Sequence, residues 1–363
     1  MAANEILLTW NGSDVTMIPI NNNITLISYT KIPAYFVAIT CLSCILSIIG
    51  SVLIIATYIA FREIRSTSRK LLVYLSIVDF FTALGNLIGV IRYVYNYTNE
   101  ISTDCDNPGP VCVAQSVITT FSSMASFFWT VMIALYLHVS VVGGDSRKAD
   151  RKVWAFHVLS WGIPAMLTFT AWQYGVLGED GSQTSAGWCW IKTTCSDGMS
   201  PGEEIGWMLL TGKAWEIIAY LLTPAIYGHI KCHIHRTIVQ VHHRYIDSDT
   251  IHAVERADRK LTFVPIIFIL LRIWGTIRFF LAIGGYQPSD MSALIIILQG
   301  FGDSGQGFCN FVLFCLTTDV IREKLREKPF CACARMCEKI RPCFLCDRKQ
   351  AIYVPQTYYN IQL

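Results

Sequence analysis

AYFVAITCLSCILSIIGSVLIIATYIAF, residues 34–61, contains no Asp, Glu, Lys, Arg or His. As an α-helix this run rises about 40 Å, at roughly 1.5 Å per residue. That exceeds the ~30 Å hydrocarbon core of a bilayer. In lipid every backbone N–H and C=O must bond within its own segment, so the run is expected to be a membrane-spanning helix.

Outward from this stretch the same signature repeats. Further apolar segments run from Leu71 to Tyr95, Cys112 to Val142, Val153 to Val176, Gly206 to Lys231, Leu261 to Gly284 and Ser292 to Thr318. The fold class read from them is an all-α membrane protein, a bundle of seven transmembrane helices. Pro164, Pro224 and Pro265 fall inside the fourth, fifth and sixth spans. Each would break a soluble helix, but within a bundle they act as kinks. The 363 residues are 53% hydrophobic and 15% charged, against about 25% charged for a soluble domain. The bilayer therefore replaces a water-excluded core. A net charge of +3 is too small to argue for nucleic acid. The first 33 residues lack a basic start and an apolar core, so the first span is expected to be its own signal anchor.

Charge sets the direction. The first, third and fifth connections and the tail after Thr318 carry 22 of the 29 Lys and Arg residues, and the other side carries only Lys31 and Lys192. Cytoplasmic segments are the ones enriched in Lys and Arg, so the N-terminus is expected outside and the C-terminus in the cytosol. The N-x-S/T acceptors Asn11, Asn23 and Asn96 all fall on the same outer side, as expected for glycosylation. The organisation that follows is an extracellular tail over 1–33, a bundle over 34–318, an amphipathic eighth helix over 319–330 and a cysteine-rich cytosolic tail over 331–363.

The second outer connection contains GWCW, residues 187–190, in surroundings rich in Gly, Ser, Asp and Thr. Outside the cell disulfides persist. Cys105, Cys112, Cys189 and Cys195 lie on or at that side. Four cysteines allow three pairings, and spacing does not choose among them.

Several stretches carry a family resemblance: SSMASFFWTVMIALYLHVSVV (122–142), WAFHVLSWGIP, GWCWI, WMLLTGKAWEIIAYLLTP and KLTFVPIIFILLRIWGTIRF. They closely resemble an orphan branch of the G-protein-coupled receptors. The chain is more distantly similar to the secretin-type (adhesion and hormone) receptors and to the cyclic-AMP receptors of social amoebae. The resemblance spans the seven-helix region and fades in both tails. It implies a disulfide between Cys112, at the top of the third span, and Cys189. Trp188 and Trp190 would then pack over the bundle mouth, and Cys105 with Cys195 stands as a candidate second pair. The Gln-Gly-Phe of the secretin-type seventh span is present as Gln299-Gly300-Phe301. The sixth-span Pro-Leu-Leu-Gly reads Pro265-Ile266-Ile267-Phe268, without its glycine. An N-terminus of about 33 residues without cysteine argues against two-domain capture of a peptide hormone. Rhodopsin-type signatures are absent: the third span ends LYLHVSVV and the seventh CNFVLFCL.

Ionisable groups inside spans are costly and point to function or pairing. Asp79, about two turns from the cytosolic end of its span, is read as part of an activation network. Lys213 and Glu216 are three apart, share a helix face and can neutralise each other. Arg272 and Asp303 lie at similar depth on the sixth and seventh spans and are expected to pair. Asp79, Arg272, Asp303 and Glu216 make the intramembrane polar network. Arg278, Lys213 and Trp190 are the ligand-pocket candidates. Arg92, near the outer end of its span, is expected to snorkel to the interface. Among the aromatics Phe127, Phe128, Trp129, Trp161, Trp215 and Trp274, at most two are expected to touch a ligand.

On the cytosolic side, the connection from Cys232 to Lys260 is too short for a catalytic domain. His229 and His233 are four apart, but a headgroup-facing helix end is preferred to metal ligation. His138, Arg259 and Lys260 are the candidates for contact with a G protein. TTDVIREKLREKPF reads as an amphipathic helix capped by Asp319, with Val320, Ile321 and Leu325 on its apolar side. Beyond it, Cys331, Cys333 and Cys337 stand beside basic residues, as in palmitoylated tails. Zinc is the rival reading, through the pairs Cys331–Cys333 and Cys343–Cys346. The terminal Asn-Ile-Gln-Leu suits strand addition to a PDZ-type edge.

Together these readings describe a plasma-membrane receptor, not an enzyme, that needs no cofactor. Its expected partners are an extracellular ligand, a heterotrimeric G protein and membrane lipid. A seven-span transporter is the alternative, weakened by the lack of a repeat between residues 34–142 and 206–318. The last span has no lysine for a retinal Schiff base.

Overall fold

The computed structural model describes residues 19–20, 24–27, 34–62, 65–99, 103–104, 108–143, 146–179, 188–192, 199–242, 248–285 and 293–316. Helix α1 is Ala34–Ala60, α2 is Thr67–Thr98 and α3 is Pro110–Val142. The short α4, Ser146–Asp150, precedes α5, Val153–His157, which passes through a single π turn into α6, Ile163–Gln173. Helix α7, Pro201–Met208, passes through a second π turn at Leu209–Lys213 into α8, Ala214–His242. Then follow α9, Ser248–Ile283, α10, Ala293–Ser304, and α11, Gln306–Phe311, which ends in a third π turn. Six helical stretches among the described residues are long and apolar enough to cross a membrane. Residues 294–304 and 306–316 form two shorter apolar helices separated at Gly305.

Each element has a local cause. Ser66 caps α2, its hydroxyl accepting a bond from the N–H of Arg69. Ser200 and Glu203 form a reciprocal capping box at α7, with Pro201 in the first turn, where a missing N–H costs nothing. The π turn at Val158–Gly162 lies just before Pro164, and such turns relieve a helix at a proline. The helices that carry the fifth and sixth apolar segments run on past them, to His242 and back to Ser248, because polar residues keep helical bonding outside an apolar run.

Helix α3 is the central element, packed against α2, α4, α6 and α8, while α1 packs against α2, α10 and α11. The α1 contact uses small residues. A Cβ on Gly50 would lie 2.9 Å from the Gly307 carbonyl oxygen, and one on Gly307 would lie 2.3 Å from Ser51 Oγ. Where lipid replaces water, such close backbone approach supplies the association that hydrophobic burial cannot. The inner-half core centres on Trp129, fully buried, stacked on Tyr74 and edge-on to Trp161.

Two small sheets lie outside the helices. Strands β1 (Pro19–Ile20), β2 (Ile24–Ile27) and β3 (Thr103–Asp104) form one, in that order. The hairpin of β4 (Leu177–Gly178) and β5 (Trp190–Ile191) pairs Gly178 with Trp190.

Candidate functional site

The hairpin is fastened to α3 by covalent and polar bonds. Cys112 and Cys189 form a disulfide, the pairing that the resemblance implies. The backbone N–H of Cys189 donates to Gln115 Oε1 at 2.8 Å, and Ser116 Oγ donates to the Trp190 carbonyl at 3.0 Å. Arg92 does not snorkel. It pairs with the buried carboxylate of Glu179 and donates to Cys189 Sγ at 3.2 Å. A polar partner supplied by the hairpin removes the reason to reach for the interface. Gly89 lets the chain pass close: a Cβ there would meet Trp188 Cβ at 2.4 Å.

These contacts set Trp188 and Trp190 into the wall of a cavity with about 720 Å³ of empty space, its open mouth included. Lys213, Glu216, Arg272 and Asp303 also line it. The π turn at Leu209–Lys213 precedes Lys213 and Glu216. Lys213 Nζ bonds Glu216 Oε2 at 2.7 Å, as their spacing suggests, and Tyr220 donates to Glu216 Oε1 at 2.9 Å. Of the three pocket candidates, Lys213 and Trp190 line the cavity. Arg278 lies behind it and donates to Gln299, which does line it. Of the six aromatics considered, only Phe127 is in the lining.

Arg272 and Asp303 do not form the expected ion pair. Among the described residues the ion pairs are Arg92–Glu179 and Lys213–Glu216. The guanidinium of Arg272 instead faces Gln306 Oε1, at 3.4 Å from both Nε and Nη2, and lies 5.0 Å from the Phe127 ring centroid. Both residues line the same cavity, but the Gln306 amide is the group the guanidinium meets.

Gln306 carries the connection inward. Its Nε2 donates to Ser126 Oγ at 3.0 Å, and Ser126 donates to Asp79 Oδ1 at 2.8 Å. Asn310 Nδ2 donates to Asp79 Oδ2 at 2.9 Å. Gln306 and Asn310 also line a second, smaller cavity with Leu75, Thr130, Ile133, Ile267, Phe268 and Phe314. Arg272 and Gln306 therefore stand between the two cavities. Gln306 belongs to a second Gln-Gly-Phe, Gln306-Gly307-Phe308, seven residues after the one at 299–301. Gly307 adds an N–H donated to Ser47 Oγ at 3.0 Å. The recurrence of the tripeptide seven residues on was the available signal. Ser126 and Asn310 gave none.

At the other end of α3, His138 Nε2 lies 3.0 Å from His229 Nδ1 on α8. Asn96 sits in the last turns of α2 and is 7% exposed. Arg259 and Lys260 lie on α9, their side chains outside the described residues. Asn11, Asn23, Cys105, Cys195, Cys331, Cys333, Cys337 and the expected eighth helix also lie outside the described residues.

A bundle of apolar helices around a buried polar chain, roofed by a disulfide-tied hairpin, is the build of a membrane receptor. Residues 34–197 match the family described as 7 transmembrane receptor (Secretin family). The chain is 38% identical to G-protein coupled receptor 157 of Homo sapiens over 298 residues, covering 79% of this chain and 82% of that protein. It is 36% identical to the Mus musculus protein of the same name, covering 82% and 86%. Cyclic AMP receptor-like protein C of Dictyostelium discoideum is 25% identical over 72% of this chain and 67% of its own. The chain belongs to the G-protein coupled receptor family. It is a multi-pass membrane protein of a family of receptors, not of enzymes.

Proposed function

We propose that the chain is a plasma-membrane receptor with seven spans, N-terminus outside, that passes a signal from the outer cavity to a heterotrimeric G protein. Helices α10 and α11 with the following π turn form the seventh span. The distribution of Lys and Arg supports the direction. The observation that carries the reading is the run Arg272–Gln306–Ser126–Asp79–Asn310, which joins two cavities through one set of buried hydrogen bonds. A ligand that moves Arg272 changes what Gln306 can bond, and so changes the packing of α9 against α11. Ligand affinity for the rearranged state sets how far the equilibrium shifts, and a bound G protein raises ligand affinity by the same factor.

On the cytosolic side His138, Arg259 and Lys260 are assigned to the coupling face. Asn11 and Asn23 are the preferred glycosylation sites, since Asn96 is buried in a helix. The tail cysteines Cys331, Cys333 and Cys337 are assigned to lipidation, and the C-terminal four residues to a PDZ-type partner. Basal second-messenger output, measured with a panel of chimeric G proteins and the receptor expressed alone, tests the reading without a known ligand. One chimera above the vector control is expected; silence across the panel at normal surface density contradicts it.

A further inference from the structure

The outer cavity presents two opposite charges that do not neutralise each other directly. Lys213 is engaged by Glu216. Arg272 is turned to Gln306 and Phe127. Asp303 makes no ion pair with either cation; its carboxylate is hydrogen-bonded to Gln299, and both Lys213 and Arg272 act on it electrostatically. Opposite charges held apart at membrane depth are costly, and one ligand bearing both signs answers both.

The walls add detail. The Thr120 hydroxyl, 3% exposed in the lining, has no hydrogen-bond partner among the described residues. A buried hydroxyl without a partner is expensive and is satisfied by a ligand's polar atom. Gly275 lets the Asp303 carboxylate and the Lys213 ammonium pack against its backbone. A Cβ there would lie 3.2 and 3.3 Å from the Asp303 oxygens and 3.4 Å from Lys213 Nζ. Trp190, Phe127 and Phe279 add aromatic surface to the lining. A lining that mixes these charges with several hydroxyls and amides does not suit a lipid tail.

We infer that this cavity binds a small zwitterion, its ammonium group at Asp303, its carboxylate or equivalent anion toward Arg272, and a polar atom bonded to Thr120. The inference rests on the receptor reading only for its meaning as a signal; binding itself is measured without a G protein. The full chain, purified in lipid nanodiscs, is heated with glycine, β-alanine, γ-aminobutyrate or taurine, and in parallel with ethylamine or propionate. At least one zwitterion is expected to raise Tm saturably, with no matching rise from the singly charged compounds. Thr120→Val should weaken half-saturation by about tenfold, and Asp303→Asn should abolish the shift. If Asp303→Asn does not fold, Thr120→Val and Gly275→Ala, whose Cβ would crowd the Asp303 carboxylate, carry the test. No shift from any zwitterion, an equal shift from ethylamine alone, or unchanged half-saturation in all folded variants overturns the inference. Saturable binding combined with silence across the G-protein panel would overturn the receptor reading and leave the site standing.

Discussion

Arg272 shows how one residue can be placed correctly and partnered wrongly. Its depth follows from counting along a helix, but its contact depends on a glutamine one turn beyond the aspartate that charge alone suggests. Lys213 with Glu216 was legible because both lie on one helix at fixed spacing. Arg92 was not, because Glu179 reaches it from a hairpin 87 residues away. Arg272→Asp with Asp303→Arg should therefore not restore surface expression lost in either single variant, as flow cytometry of a tagged receptor will show. Each swapped group would meet a neighbour chosen for the opposite charge, at a cost of roughly 2.5–3.5 kcal/mol per misplaced charge on insertion scales. Recovery in the double variant would mean that the two charges are interchangeable after all. Gln306→Leu removes both the contact to Arg272 and the donor to Ser126. It should leave a measurable surface population whose basal output per receptor differs at least about fivefold from wild type, the scale of a 1 kcal/mol coupling.

At the scale of elements, the spans were readable because apolar length is a property of sequence, whereas their ends and breaks depend on neighbours. The last apolar segment is two helices separated at Gly305, and glycines set how closely the first of them packs. A Cβ on Gly302 would lie 1.8 Å from the Leu271 carbonyl oxygen on α9, whereas one on Gly162 meets nothing within 4 Å. Gly302→Ala should strongly reduce the amount of folded receptor, while Gly162→Ala should match or slightly exceed wild type, since Ala is favoured over Gly in a helix by about 1 kcal/mol. Fluorescence-detected size exclusion of both variants checks this; equal yields would show that α9 and α10 do not pack as described. The hairpin is a second case. Its disulfide came from the resemblance, not from spacing. Cys112→Ser, Cys189→Ser and the double variant should lose surface expression to the same degree, because one bond is removed each time. A double variant clearly worse than either single would contradict a shared bond.

For the whole molecule, the distribution of Lys and Arg supports the proposed direction, and the structure adds a route through the bundle from the hairpin-roofed cavity to Asp79. What could not be read ahead was the route itself, because Ser126 and Asn310 are uncharged and carry no sequence signal, and Gln306 is marked only by the repeated Gln-Gly-Phe. The claim that this route ends in G-protein coupling is tested most directly by second-messenger output per surface receptor, with chimeric G proteins and no added ligand. The decisive comparison is wild type against a variant with Arg259 and Lys260 both replaced by Ala. Surface density should stay near wild type: the charge pattern assigns both residues to the cytosolic side, and substitutions on a water-facing surface usually change stability by less than about 0.5 kcal/mol. Output with the responsive chimera should fall. Unchanged output per receptor would make the basic pair a headgroup anchor, worth about 1 kcal/mol per charge, and no output from wild type with any chimera would contradict coupling itself.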